Sequence, residues 1–265
     1  MKYALVTGAF GGMGKSAVKR LTEDGYTVFA LDIAAGQSCK NVIAIETDIT
    51  DPESIDRALK IVSTYTDRLD ACVHFAGLYM LNSLIEMTQE DFQRIMNVNL
   101  FGAFSVNRTF AHLFRKGTRI VILTSELAPL KPLPFTGIYA VTKSALDKYA
   151  YSLRMEAQLL GIHVSVLRAG AVDTGMLDVS TRALDAFTQN TQAYTLGAKR
   201  FKDIVNRVES RKITPDRIAR KVCAILSKRK PRFSYSVNRN PLLLLLNALP
   251  ERMQFFIIRL ILSSK

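Results

Sequence analysis

The stretch Tyr3-Ala4-Leu5-Val6-Thr7-Gly8-Ala9-Phe10-Gly11-Gly12-Met13-Gly14 passes from a short apolar run into a turn rich in glycine. Helical apolar spacing then extends from Met13 to about residue 24. Glycines let a backbone turn sharply and approach a phosphate closely, and a helix N-terminus offers unpaired N–H groups with a partial positive charge. The stretch therefore predicts a strand, a phosphate-binding turn and a helix, which together open a βαβ unit that binds a dinucleotide.

Strand-like and helical segments alternate beyond this unit. Short apolar runs occur at 3–6, 27–31, 42–45, 71–75, 119–123 and 162–167, and helical spacing occurs at about 13–24, 53–65, 89–115 and 136–160. Such alternation predicts an α/β fold, a doubly wound parallel sheet of Rossmann type with helices on both faces. No internal repeat or low-complexity linker divides the chain, so we assign residues 1–240 to a single dinucleotide-binding catalytic domain.

The pattern changes after residue 175. Residues 176–212 have amphipathic helical spacing without a strand, and we interpret them as an insertion that forms a substrate loop. Thr214 and Pro215 are the predicted N-cap and first residue of a helix that ends near Ser227. Arg232–Val237 follows as a predicted last strand, and residues 241–265 form an apolar and basic C-terminal extension.

The composition is that of an ordinary folded protein, with 48% hydrophobic and 22% charged residues over 265 positions. Cys39, Cys72 and Cys223 are widely spaced and form no CxxC pair, so neither a disulfide framework nor a metal site is predicted. The N-terminus lacks the pattern of a signal peptide, and we expect a cytoplasmic protein. The formal net charge of +13 is uneven, because residues 199–265 hold 17 of the 36 Lys and Arg but 4 of the 23 Asp and Glu.

Acidic residues follow the second and third strands. Asp32 lies 18 residues after Gly14, where a carboxylate accepts hydrogen bonds from both ribose hydroxyls of an adenosine and repels a 2′-phosphate. No Lys or Arg follows in Ile33-Ala34-Ala35, so the sequence predicts NAD(H) in preference to NADP(H). Asp48 is placed to bind an adenine amino group, although a role as helix N-cap for Asp48 or Asp51 remains open.

Tyr139 and Lys143 lie four residues apart, which places a phenol and an amine on one helical face. A free phenol has a pKa of about 10, and we expect the Lys143 ammonium to lower it so that Tyr139 exchanges a proton with an alcohol or a ketone. Ser125 closes the fifth strand and is predicted to bind the substrate oxygen. Asn99 occupies a position that helix propensity disfavours, and we predict that it holds a water linked to Lys143.

Through these motifs the sequence resembles the short-chain dehydrogenase/reductase family, specifically its classical branch, over residues 2–237. The pattern Thr7-Gly8-x-x-x-Gly12-x-Gly14 matches the family's cofactor turn. The four residues that match its catalytic positions are Asn99, Ser125, Tyr139 and Lys143. The resemblance implies hydride transfer at a nicotinamide and a homodimer or homotetramer assembled through the helices of Asn99 and Tyr139.

The resemblance also assigns roles. Tyr139 would act as acid and base, Ser125 would orient the substrate, Lys143 would bind the nicotinamide ribose, and Asn99 would complete a proton relay. The cofactor, NAD(H), is expected to contact Gly8, Phe10, Gly12, Met13, Gly14, Asp32, Asp48, Ile49, Ala76, Gly77, Tyr139, Lys143, Gly170, Val172 and Thr174.

The sequence departs from the family pattern at three places. His74-Phe75-Ala76-Gly77 stands where the family has Asn-Asn-Ala-Gly, and Ala169-Gly170 stands where it has Pro-Gly. The interval from Ser125 to Tyr139 is also slightly longer than usual. None of these changes removes a reacting group, and we interpret His74 as a packed side chain, not as a catalyst.

Three interpretations of the extension 241–265 remain open. It packs over the substrate pocket or against another subunit, it contacts a membrane surface, or it binds nucleic acid, for which no motif is present. Pro250, Glu251 and Arg252 divide it into pieces shorter than the roughly 20 apolar residues that a spanning helix needs. A membrane contact would combine it with the basic residues Lys199, Arg200, Lys202, Arg211, Lys212, Lys228, Arg229 and Lys230.

The sequence therefore predicts an oxidoreductase that interconverts a secondary alcohol and a ketone with NAD(H). Its predicted substrate is lipophilic, of the hydroxysteroid, retinoid or long-chain alcohol type, and the predicted lining is Leu177, Leu184 and Phe187. Two alternatives remain: a 3-oxoacyl-carrier-protein reductase, which Asp32 disfavours, and a non-catalytic sensor of NAD(H), which the complete catalytic set disfavours.

Overall fold

A parallel sheet of seven strands forms the centre of the described part of the protein. The structure, a computed structural model, describes residues 1–34, 36–209 and 211–263, without the side chains of 176–182 and 208–209. The strands are β1 (Lys2–Thr7), β2 (Tyr26–Asp32), β3 (Val42–Glu46), β4 (Leu69–His74), β5 (Phe114–Ser125), β6 (His163–Ala169) and β7 (Ser234–Val237). Their order is β3-β2-β1-β4-β5-β6-β7, with all neighbours parallel. The order reverses between β1 and β4, where sheets of this kind bind ligands beyond the carboxyl ends of the strands.

Helices cover both faces of the sheet, as the sequence predicts. They are α1 (Gly12–Glu23), α2 (Pro52–Ser63), α3 (Gln89–Met96), α4 (Gly102–Phe110), α5 (Gly137–Ala157), α6 (Gly175–Asn190), α7 (Thr195–Glu209), α8 (Pro215–Leu226), α9 (Pro241–Ala248) and α10 (Glu251–Leu262). One hydrophobic core joins the sheet to α1 and α8, and a second joins it to α2, α4 and α5. The predicted doubly wound architecture is therefore confirmed.

The long helical segment predicted at 89–115 is interrupted. A π-helical turn at Asn97–Phe101 separates α3 from α4, and a short 3-10 turn at Ala111–Leu113 precedes β5. β5 begins already at Phe114, which pairs with Leu69 ahead of an irregularity in the register. Periodicity alone missed this because the segment that opens β5, Phe-Arg-Lys-Gly-Thr, has no apolar run to mark it.

Helix α8 begins where the sequence predicts, with Pro215 in its first turn. Thr214 occupies the N-cap position but its side chain accepts no hydrogen bond there. In α2, by contrast, the Asp51 carboxylate accepts a 3.0 Å hydrogen bond from Glu53 N. Asp51 is thus the N-cap that the sequence left open between Asp48 and Asp51.

The C-terminal extension forms two consecutive helices, α9 and α10, which are called the hairpin below and are bound to the loop after β5. Asn247 Oδ1 accepts a 2.7 Å hydrogen bond from Lys131 N, and Lys131 Nζ lies 2.9 Å from Glu251 Oε1. Arg200 of α7 also donates to the carbonyl oxygens of Ile261 and Ser263. Among the described helices, none has the length and apolar character that a transmembrane segment requires.

Only some of the basic residues of the last quarter lie near this hairpin. Lys228, Arg229 and Lys230 precede β7 at the amino edge of the sheet, whereas the hairpin follows the carboxyl end of β7. Lys202 pairs with Asp185 at 2.7 Å, and Lys212 pairs with Asp173 at 2.8 Å. The grouping of these cations with the tail, which sequence proximity indicated, is therefore wrong for the cluster before β7.

Candidate active site

The glycine-rich turn between β1 and α1 lies at the point where the strand order reverses. Gly8 has φ +65°, and a Cβ there would lie 2.6 Å from Ala76 N, so this position needs glycine. A Cβ on Gly12 would lie 2.8 Å from Thr174 Cγ2, which brings the loop after β6 against the turn. Gly11, the N-cap of α1, offers no side chain to the first N–H groups. A diphosphate is the kind of ligand that such a helix start accepts.

Asp32 lies at the carboxyl end of β2, beside this turn. Its Oδ2 accepts a 2.8 Å hydrogen bond from Phe10 N, and its Oδ1 accepts a 3.1 Å hydrogen bond from Ala34 N. A carboxylate has about four acceptor sites, so two remain for ribose hydroxyls. The two backbone bonds fix the carboxylate at the position where the sequence predicts an adenosine contact.

The remaining predicted cofactor residues surround the same crevice. Asp48 Oδ1 accepts from both Thr50 N (2.8 Å) and Thr50 Oγ1 (2.7 Å), which holds the loop after β3. Ile49 packs against α4, where a Cβ on Gly102 would lie 2.5 Å from Ile49 Cδ1. Met13, Gly77, Gly170, Val172 and Thr174 line the cleft that also contains the reacting groups. The described residues therefore fit a nicotinamide dinucleotide.

Ser125, Tyr139 and Lys143 line one open cleft with a cavity volume of about 530 Å³. Ser125 is the last residue of β5, and α5 carries Tyr139 and Lys143 on one face. Lys143 Nζ lies 5.7 Å from the centroid of the Tyr139 ring and 3.4 Å from Leu123 O. The structure therefore brings together three of the four predicted catalytic side chains, although Ser125 and Tyr139 lie slightly further apart in sequence than the family pattern has them.

Burial shifts the pKa values of both Tyr139 and Lys143. Burial raises the pKa of Tyr139 to about 12, a hydrogen bond with Ser125 opposes the rise, and the charge of Glu126 adds to it. Burial lowers the pKa of Lys143 to about 8. In the protein without cofactor the desolvation of the Tyr139 phenol therefore outweighs its hydrogen bond with Ser125. The lowering of this pKa by Lys143 and a bound oxidised nicotinamide stays a prediction.

Asn99 lies in the π-helical turn between α3 and α4, which accounts for an amide inside a helical segment. Its Oδ1 accepts from Leu78 N at 2.7 Å, and its Nδ2 donates to Leu78 O at 2.9 Å and to Thr142 Oγ1 at 3.0 Å. A Cβ on Gly77 would lie 3.2 Å from Asn99 Oδ1 and 3.3 Å from Lys143 Nζ. Asn99 therefore lies beside Lys143 and fastens the chain after β4.

The substrate side of the cleft has an apolar wall, and the C-terminal extension lines it, as in the first of the three interpretations that the sequence left open. Its largest part comes from α7 and the C-terminal hairpin, including Phe201, Val205, Leu243, Leu246 and Ile258. Leu184 and Phe187, predicted to line the pocket, are buried instead in a cluster with Leu81, Ala198 and Phe201. The prediction for Leu184 and Phe187 is therefore wrong, because α6 turns its apolar face toward α7. Leu177 lies among the side chains that the structure does not describe.

Two further residues near the site are informative. Glu126, which directly follows Ser125, is buried and lines the cleft. It is not among the residues predicted from the sequence, although an acidic residue directly after an apolar strand could have indicated it.

His74 is buried beside the site with Nε2 3.0 Å from Asn107 Oδ1, and burial lowers its pKa to about 4. His74 is packed, as predicted, but its Nδ1 has no partner among the described residues.

Comparisons with known proteins agree with this geometry. The family model described as short chain dehydrogenase matches residues 2–185. A 3-ketodihydrosphingosine reductase of Bacteroides thetaiotaomicron is 26% identical over 262 residues, which are 97% of this chain and 96% of the relative. The 3-oxoacyl-acyl-carrier-protein reductase MabA of Mycobacterium tuberculosis is 30% identical over 197 residues, 74% of this chain and 78% of the relative.

The fold is also found among solved structures. A short chain dehydrogenase family protein of Francisella tularensis has a TM-score of 0.74 to this chain at 22% identity, covering 89% of this chain and 97% of that protein. The match of the family model covers well over half of the residues. The chain therefore belongs to the short-chain dehydrogenase family and is an oxidoreductase that uses a nicotinamide cofactor.

Proposed function

We propose that the protein interconverts a secondary alcohol and a ketone on a long-chain lipophilic substrate with NAD(H). The observation that carries this proposal is the position of Ser125, Tyr139 and Lys143 at one end of a cleft whose opposite wall is apolar. A steroid, a retinoid and a long-chain alcohol each present a polar carbon and an apolar body of this kind. The 26% identical relative named 3-ketodihydrosphingosine reductase supports the long-chain choice.

The proposed reaction uses the groups of the cleft in fixed roles. Ser125 donates a hydrogen bond to the substrate oxygen, which places that oxygen beside the Tyr139 hydroxyl. Tyr139 gives a proton to a ketone oxygen or takes one from an alcohol, and Lys143 binds the ribose beside it. When bound, the nicotinamide supplies the hydride or accepts it. Because Asn99 is held by Leu78 and Thr142, its proposed part in the relay is to keep Lys143 in place.

Asp32 supports the proposed choice of NAD(H). Both of its oxygens are held by backbone N–H groups at the end of β2, so the carboxylate cannot turn away from a 2′-phosphate without losing those bonds. A phosphate with a charge near −2 placed there would be repelled. We therefore expect tighter binding of NADH than of NADPH.

The test is titration of the purified protein with NADH and NADPH, followed by turnover assays with lipophilic and short alcohols and ketones. NADH preference with turnover of a long-chain ketone is the expected result. Tyr139→Phe should lower kcat by about 10²- to 10⁴-fold while NADH binding stays nearly unchanged. Full activity of that variant with every active substrate would show that another group supplies the proton.

An acyl-carrier-protein reductase is the nearest alternative, and the 30% identity to MabA favours it. NADPH preference together with turnover of an acyl-carrier substrate would select this alternative. Tight NADH binding without turnover of any substrate would select the sensor. The intact side chains of Ser125, Tyr139 and Lys143 in one cleft favour an enzyme over a sensor.

We also propose that the hairpin contacts a membrane surface. Phe255 and Phe256 on α10 are 69% and 66% exposed, and Leu242 on α9 is 64% exposed, so an apolar face lies beside the mouth of the cleft. The double variant Phe255→Gln/Phe256→Gln should reduce sedimentation with vesicles that contain anionic lipid. Leu159→Gln, at an 83% exposed site outside the hairpin, is the matched control. Equal sedimentation of both proteins would contradict this contact.

The homo-oligomer remains a proposal as well. Members of the family are commonly oligomeric, and Phe101 and Phe104 on the helices next to Asn99 are about half exposed, as are Tyr151 and Met155 on α5. Burial of these side chains against a second copy would remove an apolar surface from water. Light scattering of the wild type and of Phe104→Glu tests this, with dissociation of the variant as the expected result.

A further inference from the structure

Glu126 is the one acidic side chain among the described residues that line the cleft. It directly follows Ser125, and only 8% of its surface is exposed. Its Oε2 accepts a 2.6 Å hydrogen bond from Asn240 N at the start of α9. Its backbone N–H donates to Ala169 O at 2.9 Å, so the residue is held from two sides.

The other carboxylate oxygen, Oε1, has no hydrogen-bond partner among the described residues, and it is not sealed from the cleft. No cation of the described chain forms an ion pair with Glu126, although the charge of Arg239 acts on it from a distance. Burial raises the pKa of Glu126, and the Asn240 N–H and Arg239 oppose that rise. A buried carboxylate with a free acceptor site is costly unless a ligand supplies a donor or a positive charge.

The surroundings of Glu126 define the rest of such a ligand. Beyond it the cleft is walled by Leu127, Leu133, Leu243 and Leu246, which offer no polar side-chain atoms. A molecule that fits both the carboxylate and the apolar wall has a cationic group within a few bonds of the reacting carbon and a long alkyl chain. An amine beside a carbonyl carbon resembles an α-amino group, whose pKa is about 7.7–8.0, and is therefore mostly charged at neutral pH.

We propose that Glu126 is the specificity-determining residue that binds the ammonium group of a long-chain amino ketone or amino alcohol. The proposal rests on the proposed function, because it names the substrate class of the same cleft. Ser125 holds the reacting oxygen, Glu126 Oε1 accepts from the ammonium, and the alkyl chain lies along α9 and α10. The Asn240 N–H holds Oε2 and so directs Oε1 toward the substrate.

The experiment compares 2-aminododecan-3-ol with dodecan-3-ol as substrates for the wild type and for Glu126→Gln. Glutamine keeps the shape and an acceptor for Asn240 N but removes the charge. The expected result is a ratio of the KM for the amino alcohol to the KM for dodecan-3-ol that rises by about 10- to 100-fold. Because the charge of Glu126 also acts on Tyr139, any change of kcat in the variant should be alike for the two alcohols. Glu23→Gln, an exposed site at the end of α1, controls for the change in net charge.

A purely structural role of Glu126 would raise both KM values alike and lower the melting temperature, and that result overturns the proposal. A second measurement does not need turnover: calorimetric titration with dodecylamine and with dodecan-1-ol. The wild type should bind dodecylamine at least about tenfold more tightly than Glu126→Gln does, and both should bind the alcohol alike. Equal affinities for dodecylamine overturn the proposal. Selective amine binding without turnover would support Glu126 and contradict the proposed oxidoreductase substrate.

Discussion

Replacement of Lys143 by Met should stabilise the protein without cofactor while it removes activity. Lys143 is 5% exposed, and burial lowers its pKa from 10.5 to about 8. At neutral pH the folded protein therefore carries a buried ammonium that the unfolded chain would hold in water. One pH unit corresponds to about 1.36 kcal/mol, so the cost of this charge is about 3 kcal/mol. Loss of the weak bond to Leu123 O offsets about 1 kcal/mol, which leaves a gain of about 2 kcal/mol.

The sign of the pH dependence follows from the lowered pKa. Below pH about 8 the ammonium is present in both states and the folded protein bears the full cost. As the pH rises from about 8 to 10.5, the folded Lys143 loses its proton before the unfolded one does, so the stability of the wild type rises. The stability advantage of Lys143→Met should therefore be largest near pH 7 and should vanish toward pH 10.5.

The assay is urea unfolding of the wild type and of Lys143→Met between pH 6.5 and pH 10, because the difference between the two isolates this group. Lys148→Met, at an exposed position on the same helix, is the matched control and should show no such difference. A variant that is less stable than the wild type at pH 7, or an advantage that stays constant with pH, would refute the reasoning. Either result would mean that the ammonium is solvated or paired in the folded protein.

Three other predictions concern the surroundings of the cleft. Because burial lowers the pKa of His74 to about 4, the wild type should lose stability as the pH falls from 6.5 toward 4. His74→Asn should lack this loss, and urea unfolding at pH 5 and pH 7 measures the difference. Asp32→Asn should lower the ratio of NADH to NADPH affinity by about tenfold, and an unchanged ratio in fluorescence titrations would count against the role of Asp32. Arg168→Met should cost about 3 kcal/mol or more in thermal unfolding, because it leaves Asp147 buried without the partner that lies 2.7 Å away; the double variant with Asp147→Asn should recover part of that loss.

Most of the sheet was predictable because a buried parallel strand is an apolar run in the sequence. Tyr26–Asp32 and His163–Ala169 differ from the predicted strands by one or two residues at their ends. The glycine turn, Asp32, Tyr139 and Lys143 were predictable for a related reason, since each lies within or directly after one predicted element. The pKa values of Tyr139 and Lys143 were not, because desolvation depends on side chains distant in sequence.

Local pattern indicated the cleft wall only as one of several interpretations of the extension 241–265. The bonds that place the hairpin join residues far apart: Glu126 to Asn240 across 114 positions and Lys131 to Asn247 across 116. A run of leucines such as that of α9 is typical of a pocket wall, of a subunit contact and of a membrane contact. Only the tertiary packing distinguishes the pocket wall from the other two. The same reason explains the wrong prediction for Leu184 and Phe187, whose periodicity shows an apolar face but not the element that this face contacts.

The connection between β7 and α9 joins the cofactor loop to the substrate wall, and a truncation can separate the two. Asn238 Nδ2 donates to Ala171 O at 2.8 Å and to Arg211 O at 3.0 Å, so it fastens the loop that follows β6, while Asn240 N binds Glu126. A chain that ends at Asn240 keeps the hydrogen bonds of Asn238 and of Asn240 N but lacks α9 and α10. We expect its NADH affinity to remain nearly unchanged, because no described cofactor residue lies beyond Asn240.

The same truncated chain should bind a long alkyl substrate more weakly. Each buried methylene contributes about 0.8 kcal/mol, and removal of the leucines on α9 exposes one side of the bound chain to water. The KM for a long-chain ketone should therefore rise by about tenfold or more, whereas kcat/KM for a short ketone should hardly change. An equal loss for both ketones with intact NADH binding would mean that the hairpin positions Ser125 and Tyr139 and not only the alkyl chain. Loss of NADH binding would mean that Asn238 cannot hold the cofactor loop without the helices that follow it.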